Sequence, residues 1–166
     1  MYNRYVTQRN VVYLVFCVTC EAAMTKNISK EYVIGLVEAE GNFSFSVWKA
    51  KERKIPSFQL KMHVRDAHLV ELVRDAMGLS NKIYTYGYQR KDGTGQNSYS
   101  MFIVREIGGL KNIVVPFFYD QFKGHKDMLF REWLDQIGSD PWVPDSYKVI
   151  YRLHKNGFYR KNSKFG

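Results

Sequence analysis

Cysteine is almost missing from this chain: Cys17 and Cys20 are the whole complement. Their Cys-x-x-Cys spacing has no second pair, and His63, His68, His125 and His154 do not stand in a finger register. A four-ligand structural zinc site is therefore excluded. The flanking Val-Phe-Cys-Val-Thr-Cys lacks the strand-then-helix setting of a thioredoxin-like pair, which leaves two reduced intracellular thiols. Long apolar runs are absent too. Val11 to Val18, behind Arg4 and Arg9, is an apolar run of eight, too short to span a bilayer, so no membrane partner is expected. With Ala22 and Ala23 near a cleavage point it has the outline of a poor signal peptide. The reading preferred is an N-terminal extension, residues 1–28, that adds a strand or helix beside the core, or an artefact of an upstream start codon.

Acid is scarce: 16 Asp and Glu stand against 25 Lys and Arg, for a net charge of +9 and a pI near 9.5. That balance implies an anionic partner, nucleic acid ahead of an anionic membrane, because the cations cluster. Lys49, Lys51, Arg53 and Lys54 make one basic loop. The segment from Tyr147 to Gly166 carries Lys148, Arg152, Lys155, Arg160, Lys161 and Lys164 and no acid, which reads as a phosphate-tracking arm. Tyr147, Tyr151, Phe158, Tyr159 and Phe165 interleave with those cations, so at least part of the arm should dock. The chain of 166 residues, 45% hydrophobic, suffices for one domain with a core.

Where acids do occur, their placement is informative. Residues 33–41 read Val-Ile-Gly-Leu-Val-Glu-Ala-Glu-Gly, with Glu38 and Glu40 at the end of an apolar helix. Negative charge there opposes the helix dipole at a cost of roughly 0.3–1 kcal/mol, and no Lys or Arg follows until Lys49. The arrangement suggests a job outside folding. Ser29 is the expected N-cap, Glu31 lies in the first turn, and Gly41 with Asn42 supplies the stop. Tyr32, Val33, Leu36 and Val37 form the apolar face, while Gly35 and Ala39 make a stripe without bulk that permits close approach of another backbone. A Gly inside a soluble helix costs about 1 kcal/mol against Ala, which points to a packing reason.

Downstream, Asn42 to Trp48 alternates Phe43, Phe45 and Val47 with Ser44 and Ser46, and Ser57 to Val64 alternates likewise. Asp66 should cap a helix ended by Gly78. A strand from Lys82 to Arg90, a turn from Lys91 to Gln96, and a returning strand from Ser98 to Arg105 follow. Glu106 to Val114 reads as a short helix ended by Pro116, and Lys126 to Ile137 as a last helix with Met128, Leu129, Trp133, Leu134 and Ile137 inward. The plan is α+β, αββαββα, an antiparallel sheet covered on one face by helices.

The run from Val33 to Gly41 resembles, position by position, the signature helix of LAGLIDADG homing endonucleases, and the element order over residues 29–138 resembles their core. The resemblance implies a saddle-shaped antiparallel sheet and, because only one signature helix is present, a homodimer sealed by Gly35, Leu36, Glu38 and Ala39. It implies a metal-binding acid at Glu40, with the Ala39 carbonyl as a further oxygen ligand for Mg²⁺, or Mn²⁺ as substitute. Glu38 takes a supporting role, capping or pairing within the dimer. Gln121-Phe122-Lys123-Gly124-His125-Lys126 resembles the family's Pro-Leu-x-Gly-x-Lys segment, so Lys126 is the candidate to orient water or steady phosphorane-like charge, with Lys123 as alternative. The family's water-ordering polar residue at the end of the second strand falls on Val64, which cannot hydrogen-bond; His63 or Arg65 would have to serve instead.

Strands of about nine residues extend roughly 30 Å, close to the ~34 Å turn of duplex DNA. Residues suited to the groove are Ser44, Ser46, Trp48, Gln59, Lys61, Tyr84, Tyr86, Tyr88, Arg90, Gln96, Asn97 and Tyr99. Phosphate contacts fall to Lys49, Lys51, Arg53, Lys54, Arg65, Lys91, Lys123, Arg160 and Lys161. The leading expectation is a site-specific double-strand DNA endonuclease of the intron-homing type, dimeric on a long pseudo-palindromic site and placed inside the cell with intron-bearing DNA. Alternatives are an RNA maturase acting on intron RNA, or an inactive DNA-binding regulator on the same scaffold. Residues 139–166 stand apart as the basic arm.

Overall fold

The computed structural model describes residues 28–89 and 96–161, with backbone alone at 88, 89, 96 and 97. Expectations for the N-terminal extension and its cysteines, for Arg90 and Lys91, and for the side chains of Tyr88, Gln96 and Asn97 lie outside the described residues. Helix α1 (Lys30–Glu40) leads directly into β1 (Gly41–Trp48). A 3₁₀ turn (Lys49–Lys51) connects to β2 (Arg53–His63), and a second (Val64–Asp66) to α2 (Ala67–Ala76). β3 (Tyr84–Gln89) and β4 (Gln96–Val104) precede α3, which runs from Ile107 to Phe118. The last helices are α4 (His125–Ser139), α5 (Lys148–Lys155) and α6 (Phe158–Lys161). The strands form one antiparallel sheet in the order β1-β2-β4-β3.

Strand parity divides the sheet. Phe58, Leu60, Phe102 and Val104 are fully buried beneath the helices, with Val33 and Val37 of α1. Phe43 joins them in an aromatic cluster with Phe58, Phe118, Phe122, Phe130 and Trp133, ring centroids 4.8–5.9 Å apart. The alternate positions, among them Gln59, Lys61, Tyr84, Tyr86 and Tyr99, form the open face.

Several expectations are corrected. Pro116 does not end a helix: α3 continues through it to Phe118. The stretch Leu110–Val114 is π-helical, with the Val115 N–H reaching the Leu110 carbonyl, and this widening just before the proline absorbs its missing donor and its clash with the preceding turn. Met128 and Leu129 are exposed rather than inward, because the buried stripe of α4 falls on Phe130, Trp133, Leu134 and Ile137. β2 begins at Arg53, so Pro56 lies within a strand, and Val64 falls past its end. Asp66 makes no side-chain cap; it pairs with Arg65 instead.

The basic segment after residue 147 is not an extended arm over what is described. Ile150 and Tyr159 are buried, and Tyr159 packs on Tyr119 with ring centroids 5.5 Å apart. Lys148 pairs with Asp145, Lys155 with Asp135, and Arg160 with Asp120. Helical segmentation at an i, i+3, i+4 spacing let the segment bury one face while its cations found local acids.

Candidate active site and nucleic-acid interface

Glu40 stands at the point where α1 becomes β1. Ser29 accepts from the Tyr32 N–H at the start of α1, as expected of an N-cap. Gly41 ends the helix for a different reason from the one its residue type suggested. Its backbone is extended, φ −71° and ψ 150°, not left-handed. A Cβ there would lie 2.4 Å from Val37 Cγ1 and 2.7 Å from the Val37 carbonyl, so only glycine permits the abrupt switch from helix to strand. That switch leaves Glu40 exposed beside the open face.

The two acids of α1 have separate fates. Glu38 Oε1 accepts the backbone N–H groups of Lys123 and Gly124, at the N-terminus of α4. The carboxylate that opposes the dipole of its own helix thus satisfies orphan donors and favours the dipole of another. Glu38 thus acts as a cap on α4 within its own chain. Glu40 makes no hydrogen bond or ion pair among the described residues, and its carboxylate is free for a ligand.

An open recess of about 530 Å³ gathers Glu40, Asn42, Gln59, Lys61, His63 and Tyr99. The Gly41↔Leu60 register places Gln59 and Lys61 beside the end of α1. Lys61 Nζ sits 4.0 Å above the Tyr99 ring. His63 Nδ1 accepts from the Arg65 N–H, so the neutral ring carries its proton on Nε2. The polar groups toward the end of β2 on this face are Gln59, Lys61 and His63; β2 stops at His63, a residue expected to serve in place of Val64. Asn42 was missed as a site residue. Its parity with Ser44 and Ser46 was the available signal, masked by its reading as a helix stop.

Lys126 is brought close through the backbone: its Nζ donates to the Gly41 carbonyl at 2.6 Å. Its side chain lines a neighbouring recess of about 460 Å³ between α4 and β1, shared with Asn42. Along this same edge the Trp133 indole donates to the Ser44 carbonyl, so α4 shields β1, an edge strand. Gly35 and Ala39 lie exposed, and nothing within the chain comes within 4 Å of a Cβ at Gly35; Leu36 is half-buried.

Of the expected DNA-contacting residues, Ser44, Ser46, Trp48, Gln59, Lys61, Tyr84, Tyr86 and Tyr99 all occupy the open face by register. Arg105 also lies there, its Nε donating to Ser46 Oγ at 3.0 Å, and was not anticipated. Lys49, Lys51 and Arg53 are exposed at the β1–β2 turn, with Lys51 Nζ 5.4 Å over the Trp48 ring. Arg65, Lys123 and Lys161 are exposed as well. Lys54 is corrected. It pairs with Asp140 and its N–H donates to the Trp142 carbonyl, tying the hairpin to the segment after α4, with the side chain half-buried on the helix side. Arg160 is held 3.4 Å from Asp120, which also binds Arg131.

A helix-covered, four-stranded antiparallel sheet is an architecture shared with solved homing endonucleases. The LAGLIDADG homing endonuclease I-GzeII in complex with DNA target aligns at a TM-score of 0.53 and 23% identity, covering 77% of this chain and 43% of that one. I-LtrWI, bound to target DNA, aligns at 0.54 and 21%, covering 80% and 44%. The homing endonuclease I-TnaI aligns at 0.51 and 18%, covering 82% and 81%. The chain therefore spans less than half the length of two of these three proteins. Residues 33–137 match the LAGLIDADG endonuclease family model, and the chain belongs to that family. No curated protein matches the chain by sequence.

Proposed function

We propose that the chain is a site-specific double-strand DNA endonuclease of the intron-homing type, acting as a homodimer with intron-bearing DNA inside the cell. The observation that carries this reading is the unpaired Glu40 carboxylate, set at the rim of a recess with Gln59, Lys61 and His63. The exposed stripe of Gly35 and Ala39, together with a single signature helix, supports pairing through α1.

The residues fit a divalent cation of the hard type, Mg²⁺ or Mn²⁺. Glu40 offers carboxylate oxygens, and Ala39 offers one of the last four carbonyls of α1, which a helix leaves without intrahelical partners. Among the described residues no three His, Cys, Asp or Glu gather in one chain, so the site would be completed by the Glu40 of a second copy. Bound there, the cation would supply an activated water and neutralise charge on the leaving oxygen. The chain's own groups do the rest. The Lys61 ammonium and the His63 Nε2–H stand ready to bind phosphate oxygens; Gln59 and Asn42 can orient a water through their amides. Lys126 fixes the Gly41 carbonyl, in the peptide that joins Gly41 to Asn42, one residue past Glu40.

Glu40→Gln keeps shape and hydrogen bonding but removes the charge. Cleavage of the cognate site in Mg²⁺ should collapse, while affinity for that site in Ca²⁺ stays near wild type. Wild type that binds one DNA site tightly yet never cuts it in Mg²⁺ or Mn²⁺ would overturn the nuclease reading.

A further inference from the structure

Ser57 shares the strand parity of Gln59 and Lys61 and so belongs to the open face, yet it is only 1% exposed. From the β1 side Ser44 stands opposite it, the two hydroxyls 3.2 Å apart. From the β4 side the Phe58↔Val104 register sets Arg105 opposite Ser57, and the arginine reaches past β2 to β1, where its Nε donates to Ser46 Oγ at 3.0 Å. The side chain therefore lies across β2 at that level. Its backbone is held as well: the Tyr147 hydroxyl donates to the Arg105 carbonyl at 2.8 Å, and the Arg105 N–H donates to Glu106 Oε2 at 3.1 Å. Asn81 Nδ2 also donates to the Glu106 carboxylate. Arg105 is exposed, and among the described residues its Nη1 and Nη2 have no hydrogen-bond or ion-pair partner.

We infer that Arg105 is a specificity-determining residue that reads one guanine in the major groove, its Nη1 and Nη2 donating to guanine O6 and N7. The inference rests on the duplex-cleaving reading above and adds to it which base is required and where. Guanine alone sets two acceptors side by side on its major-groove edge; adenine and cytosine present a donor there, and thymine a single acceptor beside a methyl group. A guanidinium fork, all donors, meets its complement in guanine and a clash of donors in adenine or cytosine. The bond from Nε to Ser46 holds the side chain before DNA arrives, so little rotamer freedom is lost on contact. Position separates this arginine from the phosphate-binding lysines: it lies over β2, an inner strand, whereas Lys49 and Lys51 stand at the β1–β2 turn. From Gly41, where β1 begins beside Glu40, the chain runs to Ser46 over about 17 Å at ~3.4 Å per residue. The guanine therefore falls roughly five base pairs from the bond cut beside Glu40.

Wild type, Arg105→Ala and Ser46→Ala are each selected against a library of random-sequence duplexes in Ca²⁺, so that binding is read without cleavage. The wild-type site should carry a guanine at the expected position. Arg105→Ala should bind that site and its guanine-substituted versions alike, erasing a preference of roughly 5- to 150-fold at that base pair and at no other. Ser46→Ala, which unties Nε, should lose part of the same preference and keep the rest of the site. An Arg105→Ala variant that weakens binding to every sequence alike, and lowers the slope of log K against log salt by about one unit, would overturn the assignment, because the arginine would then hold a phosphate. So would a guanine preference that survives Arg105→Ala. A preference that Arg105→Ala erases, in a protein that never cuts in Mg²⁺, counts against the nuclease alone. Cleavage by a wild type whose selected site is unaltered in Arg105→Ala counts against the Arg105 assignment alone.

Discussion

The two faces of the sheet draw on the same kinds of residue and use them in opposite ways. On the helix side, Phe43, Phe58 and Phe118 pack on one another with ring centroids 5.1–5.9 Å apart; on the open side, Tyr84, Tyr86 and Trp48 stand 40–54% exposed, Tyr84 and Trp48 each with a lysine over the ring. Alternate residues of one strand separate these roles, Phe58 from Gln59 and Leu60 from Lys61. The difference teaches that aromatic content alone says little here, and parity says much: it decides whether a ring contributes to stability or remains available to a ligand.

The sharpest way to break the comparison is to delete one ring from each face. Phe58→Ala removes a fully buried side chain at the centre of the cluster and should cost about 3–5 kcal/mol, since neighbouring rings cannot collapse into the space. Tyr86→Ala removes an exposed ring and should shift stability by no more than ~0.5 kcal/mol. Chemical denaturation of both variants measures this. Equal losses would mean that the open face is also part of the core.

The two acids of α1 repeat the contrast over one half-turn. Glu38 points inward to the start of α4, Glu40 outward to the recess. Glu38→Gln weakens a charge-assisted cap on two backbone donors and should lower stability by about 0.5–2 kcal/mol. Glu40→Gln should leave the denaturation midpoint unchanged or slightly raised, as it removes a charge that opposes the helix dipole without a compensating partner. A midpoint that falls equally in both variants would erase the distinction between structural and functional acid.

Much of this division was legible in the sequence. Period-two alternation gave every strand and the open-face residues Ser44, Gln59, Lys61, Tyr84 and Tyr99, and the signature run gave α1 with its exposed acid. Gly78 ends α2 region as expected, in the left-handed conformation at φ +72°. What escaped were choices made by distant partners. Glu38 finds its donors at Lys123 and Gly124, Lys54 its acid at Asp140, and neither pairing leaves a local trace. Pro116 was misread because a proline ordinarily stops a helix, and only a π-helical widening upstream lets it continue. Gly41 was placed correctly but for the wrong cause, since a close approach to Val37 leaves no signal in composition.

The smallest effect concerns two lysines of β2 on opposite faces. Lys54 neutralises Asp140 on the helix side, and its remaining role is to fasten the hairpin; Lys61 stands exposed on the open face over Tyr99. A cation that meets a DNA phosphate releases counterions and adds about 0.9 to the slope of log K against log salt. Lys61→Met should therefore reduce the slope for duplex binding by about one unit. Lys54→Met should leave the slope as it is, while costing at most about 1 kcal/mol of stability, the range of a partly exposed ion pair. Binding isotherms at several salt concentrations decide it. A slope that drops for Lys54→Met and holds for Lys61→Met would put the phosphates on the helix side, and the open face would lose its claim to the nucleic acid.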